Sequence, residues 1–301
     1  MYKVTYLAVE CKMRNRTKAR GSVIGFTLIE LLVVIAVIGL LMSILVPALN
    51  KVRRQSKRIV CFNNMRQLTV AWTIYADTYG GKLVNGGQSW GNTPQPKEPY
   101  WCTPVPPLPA TDEFGTFPAI RFDWDITTLP YEERVSLLKK GALFPYVKKV
   151  KIYRCPEADK NFHRSYLIVQ SMNASWEGAK ELPIGQGLVV RSIGGIKRAA
   201  QRVVFIEERF PTADAMIIPF KLPQWTPYDR PGCMHETGAN LGFSDGHSEY
   251  WKWECQETLD YCKNCDESTP SPDTTNCKKD IIKVQRAVWG ELGYTPEPGW
   301  E

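Results

Sequence analysis

The sequence predicts an α+β chain, in which one long N-terminal α-helix packs on a head built around an antiparallel β-sheet. Three observations predict it. Apolar side chains fill residues 26–46 and recur at three- and four-residue steps to Tyr79, where Gly80-Gly81 stops the pattern. Two alternating runs, Ala239–Ser244 and His247–Trp253, flank Asp245-Gly246, a signal for a tight hairpin turn. Between these ends, "SYLIVQ" (165–170) and "RVVFIEE" (202–208) read as strands set among turn residues.

The helix has two halves. Phe26 to Val46 is 21 residues with one charge, Glu30, and fifteen of them are Leu, Ile, Val or Phe. As a helix this stretch spans about 32 Å, enough for the roughly 30 Å hydrocarbon core of a bilayer. The insertion energy of its apolar residues outweighs the cost of one acid, so the span survives Glu30. An intramembrane carboxylate is by default functional and calls for a partner. Residues 47–80 form the second, amphipathic half. Its apolar positions are Val52, Ile59, Phe62, Met65, Leu68, Trp72, Tyr75 and Tyr79. Gly39 and Pro47 are points where the helix is weakened.

Charge argues against nucleic acid as a partner. The net charge is +7, but residues 1–25 carry six basic side chains against one acid. Residues 26–301 hold 32 basic and 30 acidic side chains, too even a balance to attract a polyanion strongly. The basic head is a targeting segment. Lys12, Arg14, Arg16, Lys18 and Arg20 precede the span, while Lys51, Arg53, Arg54, Lys57 and Arg58 follow it. The positive-inside rule is close to a tie. Cysteine usage breaks it: eight of nine cysteines lie beyond the span, which places the C-terminal body in an oxidising compartment.

The leader, the junction and the acid carry a resemblance. A basic leader, then Gly25-Phe26-Thr27-Leu28-Ile29-Glu30, then an unbroken apolar run resembles the class III signal of type IV prepilins and pseudopilins, including the major pseudopilin of general secretion. The resemblance implies cleavage by a prepilin peptidase between Gly25 and Phe26, with methylation of the new Phe26 amine. It also implies a pilin-like fold, and it makes Glu30 the fifth residue of the mature chain. The amine created at Phe26 lies at the depth of Glu30, and pairing with a neighbouring subunit's amine would offset the cost of burying either charge alone. His235, nine residues, then Asp245-Gly246 is similar to the C-terminal signature of prepilin-like proteins named for that spacing. "CFNNMRQL" (61–68) and "YRCPEA" (153–158) look like further landmarks of that group.

The organisation expected is a leader (1–25), a long helix (26–80; transmembrane half 26–46, amphipathic half 47–80) and an extracytoplasmic head (81–301). The head includes a Pro- and Trp-rich insert (82–130) without helical or strand period, and a Cys-rich tail (254–280). "YEERVSLLKK" (131–140) reads as a short helix closed by Gly141, and "KIYRC" and "GLVVRS" as further strands.

Several chemical readings compete with a purely structural one. "GFSDG" (242–246) fits the nucleophile elbow, but that motif needs a strand followed by a helix, and Ser244 precedes a turn and a second strand. His235, Asp245 and His247 are weak metal candidates, since the turn brings the last two close, while a plain turn-capping role for His247 competes. Cys255, Cys262, Cys265 and Cys277 show one Cys-x2-Cys knuckle, which favours two disulfides over a four-cysteine zinc site. Cys61–Cys155 is the first disulfide expected elsewhere. Asp260, Asp266, Glu267 and Asp273 offer calcium a place but lack EF-hand spacing. No cofactor is otherwise expected. Tryptophans of the insert are expected in the core, with a glycan-binding face as the lesser alternative.

These readings predict a non-enzymatic filament subunit of a type IV pilus-like or type II secretion-like system. Its partners would be copies of itself, prepilin peptidase, an inner-membrane assembly platform and the membrane through residues 26–46. It would sit in the inner membrane as a single-pass protein with the head outside, then in a periplasmic or extracellular filament. The rival is a single-pass envelope protein whose head binds a glycan or a metal.

Overall fold

The computed structural model describes residues 26–87, 99–102, 130–174, 188–209, 215–226, 229–264 and 277–300. The chain divides into two compact units, 1–51 and 52–301. The described part of the first unit is the opening of helix α1 (Leu28–Thr78), which runs without a break through Pro47. Every side chain from Phe26 to Lys51 is exposed. A stretch of this kind is long and apolar enough to cross a membrane.

In the second unit α1 turns amphipathic. Cys61, Met65, Leu68, Trp72, Tyr75 and Ala76 are buried at three- and four-residue steps and form one side of the core. The stripe is narrower than the sequence implies, because Val52, Ile59 and Tyr79 are exposed. The helix ends as its glycines require. Gly80 (φ +64°) takes the left-handed conformation that side chains resist. The N–H of Gly81 bonds back to Ala76 O and that of Gly80 to Asp77 O, a Schellman closure.

The head is a four-stranded antiparallel sheet in the order β1 (Tyr166–Ile168), β2 (Val203–Glu207), β3 (Gly238–Phe243), β4 (Ser248–Lys252). The register places Tyr166 opposite Glu207 and Phe205 opposite Gly242, so these four side-chain positions share one face. α1 crosses that face at Gly242. A Cβ there would lie 2.7 Å from both Met65 Cγ and Thr69 Oγ1. β1, β2 and β3 are buried throughout, so both faces are covered and the inner runs need not alternate in polarity. The expected hairpin forms, with Gly246 (φ +95°) in its turn.

Helix α2 (Tyr131–Lys139) and the short α3 (Phe144–Val147) follow the insert. Two expected strands do not form. "KIYRC" becomes a 3-10 turn over Val150–Tyr153. "GLVVRS" makes only single bridges, Val190 to Met172 and Ser192 to Lys82, because its neighbours change within two residues. In the insert, Trp101 is buried, stacked on Tyr153 at 6.1 Å and edge-on to Phe205 at 5.6 Å. Trp90 and Trp124 lie outside the described residues.

Two unexpected helices form here, α4 (Gln256–Lys263) within the tail and α5 (Lys279–Trp289), which starts at its end and runs beyond it. A disulfide joins Cys255 to Cys277. The Asp280 carboxylate accepts the backbone N–H groups of Glu254 and Cys255, capping α4 from the first turn of α5. Burial raises the Asp280 pKa despite those bonds. With Cys255 and Cys277 joined, a four-cysteine zinc site in the tail is excluded. Cys262 is buried, and its thiol donates to Leu259 O at 3.2 Å. Cys265 lies outside the described residues, as do Asp266, Glu267 and Asp273.

Candidate functional site

The N-terminal segment is built from a local signal. Thr27 is the N-cap of α1: its Oγ1 accepts the N–H of Glu30 at 3.2 Å, and Glu30 Oε2 accepts the N–H of Thr27 at 2.9 Å. The Thr27 hydroxyl also donates to the same carboxylate oxygen at 2.8 Å. This reciprocal pair is a capping box, encoded by Thr-x-x-Glu ahead of an apolar run. Glu30 therefore has a partner within its own chain. Phe26 is exposed, and Gly25 lies outside the described residues.

The second site lies wholly within unit 52–301. Cys61 projects from α1, Cys155 follows the 3-10 turn, Glu207 ends β2, and His235 precedes β3. All four are buried, and one ligand atom from each lies within 4.8 Å of all the others. Among the described residues this is the one group of three or more such side chains that converges. Cys61 Sγ is 2.8 Å from Cys155 Sγ, Cys155 Sγ is 3.2 Å from His235 Nε2, and His235 Nε2 is 3.4 Å from Glu207 Oε1. The expected Cys61–Cys155 disulfide is not formed: the sulfurs adjoin but both are free.

A second layer holds the donors. Asn240 gives its backbone N–H to Glu207 Oε2 at 2.8 Å and its side-chain amide to Oε1 at 3.1 Å. Asn64 of α1 donates to Arg154 O at 3.2 Å, next to Cys155. At the surface, Arg54 pairs with Glu236 at 2.9 Å and Lys57 with Glu157 at 2.8 Å, again beside His235 and Cys155. Tyr166, directly across from Glu207, is fully buried. Its hydroxyl meets no partner at full hydrogen-bond geometry, although Cys61 is close enough to act on it.

Burial and the cluster's own hydrogen bonds act against each other on His235 and Cys155. Burial opposes charge on His235, but its hydrogen bonds to Cys155 and Glu207 prevail and hold the imidazole up to about 10. Burial likewise opposes a Cys155 thiolate, yet hydrogen bonds from Cys61 and His235 lower its pKa. Cys61 is pushed far up, by burial first and then by its bond to Cys155. The arrangement sets two sulfurs, an imidazole and a carboxyl group side by side within the core.

The candidates read from sequence separate. His235 enters the cluster, whereas Asp245 and His247 pair with each other at the hairpin turn. His247 also lies 3.4 Å from Glu249 and stacks on Phe243 at 4.3 Å, the turn-capping role. Ser244 gives its hydroxyl to Ala199 O at 2.9 Å and is followed by a turn and a strand, so the strand–helix elbow is not formed. Cys61 and Cys155 sit in the two central landmarks and His235 opens the third. Sequence reasoning missed Glu207. Its signal was an acid closing an otherwise apolar strand.

Residues 22–46 match the model of the prokaryotic N-terminal methylation motif. No curated protein and no solved structure matches the chain. The motif and the long apolar helix behind it fit a type IV prepilin-like protein, with an α+β architecture of helix packed on antiparallel sheet.

Proposed function

We propose that this chain is a structural subunit of a type IV pilus-like or type II secretion-like filament, processed by prepilin peptidase and not itself an enzyme. The observation that carries the reading is a methylation motif opening onto a helix in which every side chain from Phe26 to Lys51 stays exposed among the described residues. A bilayer covers such a surface before assembly, and neighbouring helices cover it in a filament. The partners proposed are copies of this chain, the peptidase and an inner-membrane assembly platform. The head lies outside the cytoplasm, first at the inner membrane and then in a periplasmic or extracellular filament. Engagement of the basic cluster after the span by the head supports that orientation: Arg54 and Lys57 pair with acids, and Arg58 lies over the Tyr250 ring at 4.9 Å.

Intact mass spectrometry of envelope material tests processing. The expected mature chain begins with N-methylated Phe26, and retention of residues 1–25 would sink the reading. Assembly is tested at Glu30. Glu30→Ala leaves Gly25 and the apolar span in place, so cleavage and insertion continue. The product expected is cleaved, membrane-held monomer with few or no filaments under the electron microscope. Filaments of normal number and length would favour the single-pass envelope protein instead.

A further inference from the structure

We propose that Cys61, Cys155, Glu207 and His235 form a closed, four-coordinate structural zinc site that locks the head onto α1. The inference is independent of the filament reading, since all four residues lie within unit 52–301.

The donor set argues for zinc. Two sulfurs, one imidazole nitrogen and one carboxylate oxygen suit a borderline-soft divalent ion, whereas calcium and magnesium take oxygen ligands. Four protein donors with no solvent-exposed member describe a structural centre rather than a catalytic one. Tetrahedral zinc with ligands at roughly 2.0–2.3 Å sets neighbouring donors roughly 3.3–3.8 Å apart. Cys155 to His235 at 3.2 Å and His235 to Glu207 at 3.4 Å are close to that spacing. The two sulfurs, at 2.8 Å, would part by roughly 1 Å.

Surrounding groups complete the case. Glu207 has no exposed surface, and an acid buried beside two sulfurs calls for a positive partner. A divalent cation would supply it. Asn240 already orients Glu207 with two hydrogen bonds, the outer-shell support that metal-ligating carboxylates receive. The buried Tyr166 hydroxyl lies on the Cys61 side, placed to donate to a metal-bound sulfur. A Cys61–Cys155 disulfide would use neither Glu207 nor His235. The ligands come from four separate segments, so one ion would join α1, the 3-10 turn, β2 and the loop before β3. Binding would release the protons that the ligands carry.

The test uses the full mature chain in detergent micelles, purified without chelator and analysed for metals by mass spectrometry. About one zinc per chain is expected. Replacement by Co2+ should give the strong visible absorption of a tetrahedral site, together with sulfur-to-metal charge transfer. Cys61→Ser and His235→Ala should each lower retained metal about tenfold or more, and Cys102→Ser, a buried cysteine outside the cluster, should not. Should a ligand variant fail to fold, Glu207→Gln keeps the shape of the side chain and must still weaken zinc retention and shift the cobalt spectrum. A native chain carrying a Cys61–Cys155 disulfide overturns the proposal, whatever the reduced chain binds. So does iron in place of zinc, or zinc retained in full by Cys61→Ser.

Discussion

Residues 28–51 and 61–76 belong to one continuous helix, yet they differ in what covers them. The first stretch is apolar on all sides and exposes every side chain. The second alternates exposed and buried positions and closes the core of the head with Met65, Leu68 and Trp72. Helical hydrogen bonding satisfies the backbone in both, so secondary structure does not separate them. The pattern of apolar residues does. A stripe about a third of the circumference wide matches one partner, the sheet face at Gly242. Apolar residues all round match surroundings on every side, which the described residues do not supply.

The sharpest way to break this comparison is to truncate a large side chain in each half. Trp72→Ala empties a fully buried position, and a loss of about 3–5 kcal/mol in head stability is expected. Leu40→Ala, in the exposed half, should leave the head within about 0.5 kcal/mol of the parent. Urea titration in micelles, followed by amide exchange in β2, measures both. Equal losses would mean that the exposed half is part of the head's core.

The sequence made the two ends of the fold readable because each rests on local chemistry. Gly80-Gly81 stops α1 through left-handed backbone, and Asp245-Gly246 turns the hairpin within one residue of the expected strand limits. Two further local signals were legible but hidden behind stronger features. Thr27-x-x-Glu30 spells a capping box, yet the membrane cost of the acid drew attention to partners outside the chain. Ile281, Val284 and Val288, followed by Gly290, spell an amphipathic helix that the cysteines beside it masked. The buried cluster was not legible in the same way. Cys61 and Cys155 stand 94 residues apart, and only the β1–β2 register shows that Glu207 lies on the α1 face. His235 lies with Cys155 and Glu207, away from the Asp245 and His247 beside which the hairpin spacing sets it.

A smaller effect distinguishes the head by its response to acid. His163 is buried, and burial, then the charges of Arg164 and Arg134, depress its pKa from 6.5 to about 3. Between those values the unfolded chain takes up a proton that the folded chain refuses. Stability is therefore complete above about pH 6.5 and is lost as pH falls towards about 3. The loss should reach about 2–3 kcal/mol near about pH 4.5. His163→Gln cannot take up that proton in either state, so its urea stability should fall less over the same range. Identical pH profiles for parent and variant would show that His163 is protonated in the folded head. Residues 28–51 contain no histidine, so the comparison predicts that this acid response is confined to the second unit.

The smallest effect concerns the first turn of α1, where two roles meet in one carboxylate. Glu30 closes a capping box with Thr27, and the proposed assembly contact asks it to meet a neighbour's Phe26 amine. Thr27→Ala separates these roles because it removes the N-cap hydroxyl and leaves the acid. Loss of a threonine N-cap costs about 1 kcal/mol, so amides of the first turn should exchange about fivefold faster in micelles. Cleavage at Gly25 and filament number should be close to those of the parent if the carboxylate acts between subunits. If its work ends with the cap, Thr27→Ala should instead reproduce the filament loss of Glu30→Ala. Filament counts for the two variants, taken with first-turn exchange rates, therefore decide whether the exposed half of α1 is joined to its neighbours by charge at Glu30 or by apolar contact alone.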